Sequence, residues 1–292
     1  MNSLKSTRKL HITPGRIVMI VVLFIIVVLW TIPTLGLLVS SFRTPEAIQT
    51  TGWWKAFSGA YDGGRQWTFS NYRDVIFADN MGNAFFNSLL VSIPATVIPI
   101  TIAAFAAFAI AWLVFPGREL FFVLIVGLLV VPLQMALIPI LKLYTQAKLN
   151  GTFLGIWLAH TGFGLPLATY LLYSYIASIP KEIIESAHAD GATPWTTFTR
   201  LVIPLSVPVI ASFAIFQFLW VWNDLLVALV FLGTKAANAI VTTRLAEMVG
   251  SRGQDWHVLT SGAFLTMIVP LIIFFSLQKY FVRGMMAGSV KG

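Results

Sequence analysis

The segment Glu185-Ser186-Ala187-His188-Ala189-Asp190-Gly191-Ala192-Thr193-Pro194-Trp195-Thr196-Thr197-Phe198-Thr199-Arg200-Leu201-Val202-Ile203-Pro204-Leu205-Ser206-Val207-Pro208 decides how this chain is read. It lies between two long apolar runs, polar where it begins and apolar where it ends. Just upstream, Ile179-Pro180 opens a stretch from Lys181 to Ala189 that is rich in Ala, Glu and Ile. Proline at 180 suits the first turn of a helix, where its missing N–H would have had no intrahelical partner. Gly191 stops that helix, because without a Cβ it adopts the positive φ of a helix end at no steric cost. Thr193-Pro194 starts the next helix, the threonine hydroxyl capping free N–H groups and the proline presetting φ. The pattern over 180–208 therefore predicts helix, turn and second helix, outside the apolar core and re-entering it at Ile203-Pro204.

Everything around this segment reads as membrane. The chain is 58% hydrophobic and 10% charged, with a mean hydropathy of +0.84, whereas soluble domains carry about 25% charged residues. About 20 consecutive apolar residues cross the hydrocarbon core of a bilayer. Ile17–Ser41 passes that test and is too long for a signal peptide, whose apolar region runs to about 7–15 residues. Five later stretches pass it too, at 85–114, 120–141, 153–178, 203–232 and 258–281. The expected fold is all-α, a membrane protein of six transmembrane helices. Lys5, Arg8, Lys9 and Arg16 precede the first span without an intervening acid, which sets the N-terminus inside. Six spans then return the C-terminus and the 180–208 loop to the same side, although the basic residues of the whole chain divide almost evenly between the two sides and only the two tails carry the bias. Ala103 to Ala111 is small-residue-rich and suits close helix packing.

Composition also excludes. With no cysteine there is no disulfide, zinc-thiolate site or thiol chemistry. The net charge of +8 is scattered between spans and is not a nucleic-acid footprint. The dipeptide Gly-Lys is absent, so no Walker A phosphate loop exists. His11, His160, His188 and His257 are far apart in sequence, and no nucleophile or metal-ligand pattern accompanies them. Catalytic, cofactor-binding and metal residues are therefore predicted to be absent, and the chain is not expected to be an enzyme.

The pattern Glu185-x-Ala187-x-x-Asp190-Gly191-Ala192, then Phe198, then Ile203-x-x-x-x-Pro208 resembles the EAA loop of binding-protein-dependent ABC importer permeases. Ser186 stands where that pattern has its first Ala. Two further stretches resemble the carbohydrate, maltose-type subgroup, with an α-glucoside lean. One is Phe69-Ser70-Asn71-Tyr72 followed by Phe86-Asn87-Ser88-Leu89. The other is the tail from Tyr280-Phe281-Val282-Arg283-Gly284 to Lys291-Gly292. The resemblance implies a type I importer architecture, with 1–83 as tail, first helix and extracytoplasmic loop, 84–283 as permease core with its coupling loop at 180–208, and 284–292 as a cytoplasmic tail. It implies a bacterial or archaeal inner-membrane location with both termini cytoplasmic. It also implies partners: a second permease subunit, two ATPase subunits carrying ATP and Mg, and an extracytoplasmic solute-binding protein.

By that resemblance Glu185, Ser186, Ala187, Asp190, Gly191 and Ala192 form the coupling surface against the ATPase, with Glu185 pairing a basic group there. Asp224 stands out on its own chemistry. It is the sole acid deep in an apolar run, where an ionised carboxylate costs about 2.5–3.5 kcal/mol to insert. It is expected either to line a translocation path or gate with Gln217, Trp222 and Asn223, or to cap a helix end. The polar loop 233–256 carries Lys235, Arg244, Glu247 and Arg252. The resemblance makes these the contact for the binding protein, against a passive connector. Two other classes of protein fit less. A self-contained secondary transporter or channel predicts internal repeats and several intramembrane charges. An ABC exporter half predicts a fused ATPase domain.

Overall fold

A computed structural model of the protein describes residues 13–58, 66–251 and 255–287. Lys5, Arg8 and Lys9, residues 59–65, Arg252 and the last five residues of the chain lie outside the described residues. The chain divides into two compact units, Met1–Tyr72 with Gln254–Phe264, and Arg73–Gly253 with Leu265–Gly292.

The first unit is carried by α1 (Pro14–Ser41), a 28-residue helix whose most apolar 18-residue window has mean hydropathy 2.9 and no buried residue. Hydrocarbon, not protein, is the solvent such a surface needs. Near its end Gly36 lets the Trp53 indole approach; a Cβ there would lie 2.8 Å from Trp53 Nε1. The polar connection after α1 is ordered around Arg43, which is fully buried. Its guanidinium donates to Gln66 Oε1 at 3.2 Å and to the Thr51 carbonyl at 3.1 Å. Asn71 Nδ2 donates to the carbonyls of Ser41 and Arg43 at 3.0 and 2.8 Å. A buried charge without such partners would be untenable.

The second unit is a helical bundle around α2 (Met81–Trp112). It continues through α3 (Arg118–Gly127), α4 (Leu133–Gln146), α5 (Phe153–Ile176), α6 (Lys181–Ala189), α7 (Pro194–Trp222), α8 (Leu226–Phe231) and α9 (Val241–Ser251). The last helix, α10 (Trp256–Ala287), belongs to both units in turn. α2 packs along α5 and α7, and its small residues Ala95, Ala103 and Ala107 are fully buried there. Among the described residues four helices are long and apolar enough to cross a membrane, and up to six spans result if each of two bent pairs counts as one.

Three local expectations change. The stretch 120–141 is not one rod: α3 and α4 meet at a 105° bend. Val131 is extended and Pro132, lacking an N–H, starts α4 rather than continuing α3. The stretch 203–232 breaks after Trp222, and α8 is a separate short helix. The last helix runs through Ala287, past the span end expected at 281.

Candidate functional site

The elbow formed by α6, the turn after it and the start of α7 follows the order read from sequence, with Pro180 standing one position earlier as the N-cap residue. Thr193 Oγ1 accepts from the Thr196 N–H at 3.2 Å, and Pro194 is the first helical residue. Between the helices Gly191 has φ +78°. Its N–H donates to His188 O at 3.0 Å, and the Ala192 N–H reaches back to Ala187 O at 2.9 Å. These two bonds are a Schellman closure, which satisfies carbonyls that a helix end leaves open. Ala187, Asp190, Gly191 and Ala192 thus belong to one stop.

The elbow is mounted on apolar packing. Ile179, Ile184, Phe198 and Val202 are buried in one cluster with Ala103, Ala107 and Phe108 of α2 and Leu172 of α5. The Phe198 ring lies 4.7 Å from Phe105 and 5.2 Å from Phe108, centroid to centroid. Trp112 Nε1 donates to the Ile176 carbonyl at 3.1 Å, and the Tyr175 hydroxyl donates to Leu205 O at 3.1 Å. A π turn over Phe198–Val202 precedes Pro204, which has no N–H to continue the ordinary ladder. On the other face Glu182, Glu185, Ser186, His188, Asp190 and Gly191 are exposed, with Ala187 and Ala192 half-buried. Lys181 Nζ lies 2.9 Å from Glu185 Oε1, and both side chains are more than half exposed. The carboxylate holds the Lys181 ammonium above the usual lysine range through that hydrogen bond. Such an exposed pair adds little to stability and is readily exchanged for another partner. Sequence reading passed over Phe105, Phe108, Trp112 and Tyr175; the only signal was that aromatics stand near the ends of two apolar runs.

The candidates for the path are split. Asp224 follows the last turn of α7, where its two carboxylate oxygens accept from the Val227 and Ala228 N–H groups at 3.3 and 3.0 Å. It caps α8, and its Oδ2 stands 3.9 Å from Nε2 of the buried His160. Asn223 is exposed and its amide donates to Leu219 O at 2.8 Å. Trp222 and Gln217 are both buried, donating to Thr266 O and Ala95 O, each at 3.1 Å. Trp220, edge-on to His160 at 5.3 Å between centroids, borders an apolar cavity of about 320 Å³ at the α3–α4 bend, together with Tyr144 and Phe163.

The loop 233–256 is tied down at the end of α2 remote from the elbow. Asn87 Nδ2 donates to the carbonyls of Ala237 and Ala239, both at 2.9 Å, and Ser88 Oγ accepts from the Val241 N–H. Arg244 Nε donates to Asp79 O at 2.7 Å, and its Nη1 pairs with Glu247 Oε2 at 2.7 Å. Lys235 is exposed, and Arg252 lies outside the described residues.

Among the described residues the chain offers up to six membrane spans, and a polar elbow is seated on the apolar cluster of the second unit. Residues 12–287 match the family described as "Binding-protein-dependent transport system inner membrane component", and the chain belongs to that family. It is 58% identical over 95% of its length, and 92% of the other chain, to the osmoprotective compounds uptake permease protein GgtD of Synechocystis. It is 42% identical over 92% of its length, and 95% of the other chain, to the alpha-glucoside transport system permease protein AglG of Rhizobium meliloti. A chain of a bacterial ABC transporter involved in the import of the acidic polysaccharide alginate superposes with a TM-score of 0.74 at 20% identity, covering 91% of this chain and 95% of that one. That likeness fixes the fold as that of the ABC importer permeases.

Proposed function

We propose that this chain is one permease subunit of an ATP-driven importer for a neutral carbohydrate of the α-glucoside type. The observation that carries the coupling part is the elbow: a Schellman-closed helix pair, exposed on its Glu185 face and seated on an apolar cluster shared with α2 and α5. A force applied there is delivered to the bundle rather than absorbed by a loop. Its partners are a second permease subunit, two ATPase subunits that bind ATP and Mg, and an extracytoplasmic binding protein. Glu185 exchanges Lys181 for a basic group on the ATPase. The substrate class rests on two relatives whose names specify α-glucoside and osmoprotectant uptake. Lys235 and the Arg244–Glu247 pair, with Arg252, offer a polar face to the binding protein. Gln217, Trp222, Asn223 and Asp224 lie along the route or its gate. Membership in a binding-protein-dependent family favours this over a self-contained transporter.

The test is purification of the tagged chain from its native membrane in mild detergent, followed by reconstitution. An ATPase and a second permease are expected to co-purify, and labelled α-glucoside is expected to accumulate with ATP. Glu185→Arg is expected to release the ATPase and to cut uptake at least tenfold with the chain still inserted. Undiminished uptake by that variant removes the coupling role, and uptake of amino acids in place of glucosides removes the substrate class.

A further inference from the structure

Three prolines inside the helices of the second unit share one arrangement. A proline at position i has no N–H for the carbonyl of residue i−4, which is left open in the middle of an apolar helix. In α2, Pro94 opens Leu90 O, and the indole Nε1 of Trp157 on α5 donates to it at 3.0 Å. Five residues further on, Pro99 opens Ala95 O, and Gln217 Nε2 from α7 donates to it at 3.1 Å. In α10, Pro270 opens Thr266 O, which accepts from Trp222 Nε1 of α7 at 3.1 Å. The remaining indole hydrogen bond among the described residues has the same register. Trp112 donates to Ile176 O, four residues before Pro180, at a helix end where the Ile179 N–H also reaches that oxygen.

Each bond joins two properties. The proline weakens its own helix at one place, and the donor comes from a different helix. That weak point is therefore tied to a neighbour instead of to the next turn. In the hydrocarbon region an open carbonyl finds no water, so losing such a bond costs more than it would at a surface. Room has been kept for it: Gly164 of α5 faces the Gln217 amide, and a Cβ there would lie 2.6 Å from Nε2.

Resting on the importer reading above, we propose that Trp157, Gln217 and Trp222 are positioning residues for translocation, each latching a proline hinge of a neighbouring helix through the carbonyl that the proline releases. The hinges at Pro94 and Pro99 divide α2 between the elbow end and the end held to the 237–241 loop. Movement of the elbow is converted into bending at these points. The latches hold these points in this conformation and free them to bend when the donor lets go.

The experiment is a pair of substitution cycles in the full complex, chain with its ATPase and binding protein, in lipid nanodiscs. Gln217→Leu strands Ala95 O, Pro99→Ala gives it a backbone donor, and the double variant does both. Trp157→Phe with Pro94→Ala repeats the cycle with an aromatic ring kept and the N–H donor removed, and so covers the case in which Gln217→Leu fails to assemble. We expect each donor substitution to lower the melting temperature by several degrees and the matching proline substitution to restore more than half of the loss. Spin labels at Asn83→Cys and Val114→Cys, near the two ends of α2, then read the hinge. Their separation is expected to change on ATP binding in the parent chain and to change less than half as much in the restored double variants. Failure of Pro99→Ala and Pro94→Ala to restore stability overturns the latch. Full ATP-driven movement in the restored variants overturns the hinge. Neither reading depends on which solute is carried, so a failed α-glucoside uptake assay bears on the substrate alone.

Discussion

Gly191 shows how much one backbone angle decides. At φ +78° it stands where an L side chain is strained by about 1–2 kcal/mol, and the Schellman bonds from residues 191 and 192 depend on that angle. Yet a Cβ placed on it meets nothing within 4 Å in this chain. The two facts separate folding from docking. Gly191→Asn, which tolerates the left-handed region, is expected to leave the chain stable and inserted. It is also expected to reduce ATPase binding severalfold, because the added side chain projects toward the partner. Melting temperature and ATPase co-purification, measured on one preparation, distinguish the outcomes: equal loss of both assigns the glycine to folding alone. This residue was legible in sequence, since a glycine after a short polar helix and before Thr-Pro has few other uses. Gln217 was not. Its amide is aimed at a carbonyl 122 residues away in the chain, and pattern alone marks it only as polar in an apolar run.

At the scale of elements, the informative departures from the sequence reading occur at prolines. Apolar length identified α2 and α5 as rods and located the stretch containing α3 and α4, which ends at Gln146 rather than at 141. It did not reveal the 105° bend, because hydropathy is summed along the chain and carries no direction. Proline alone does not locate such a boundary, because the residue type that starts α4 at Pro132 also sits inside α2, where the helix continues past it. What differs is the neighbour: Leu90 and Ala95 have donors reaching them from α5 and α7, and partners in space are not written locally. This predicts a consequence at a residue that carries no polar group. Gly164→Ala is expected to push the Gln217 amide off Ala95 O and to reproduce the melting loss of Gln217→Leu. The two losses should not add when combined, since both remove the same bond. Additive losses in that cycle would show that Gly164 serves only the packing of α5.

For the molecule as a whole, the absence of cysteine makes sidedness directly measurable. A cysteine at Ser186 is expected to react with an impermeant maleimide only from the cytoplasmic side, and one at Lys235 only from the other. Labelling of both from one side would refute the topology. Composition and span length were enough to read the membrane class, and the elbow motif pointed to the importer family. The interlocking of distant segments was not readable, and it bears on how the chain is made. Asn87 has no route to the carbonyl of Ala239 until the chain has grown by a further 152 residues. At a synthesis rate of about 5–20 residues per second, that delay is roughly 8–30 s. During it α2 waits in the bilayer with a bare amide near its first turns, and the end of the bundle that Asn87 clasps is completed only late in translation. A ribosome that stalls within α8 leaves behind a chain with its elbow finished and its opposite end unsealed, which is the form that membrane quality control would meet.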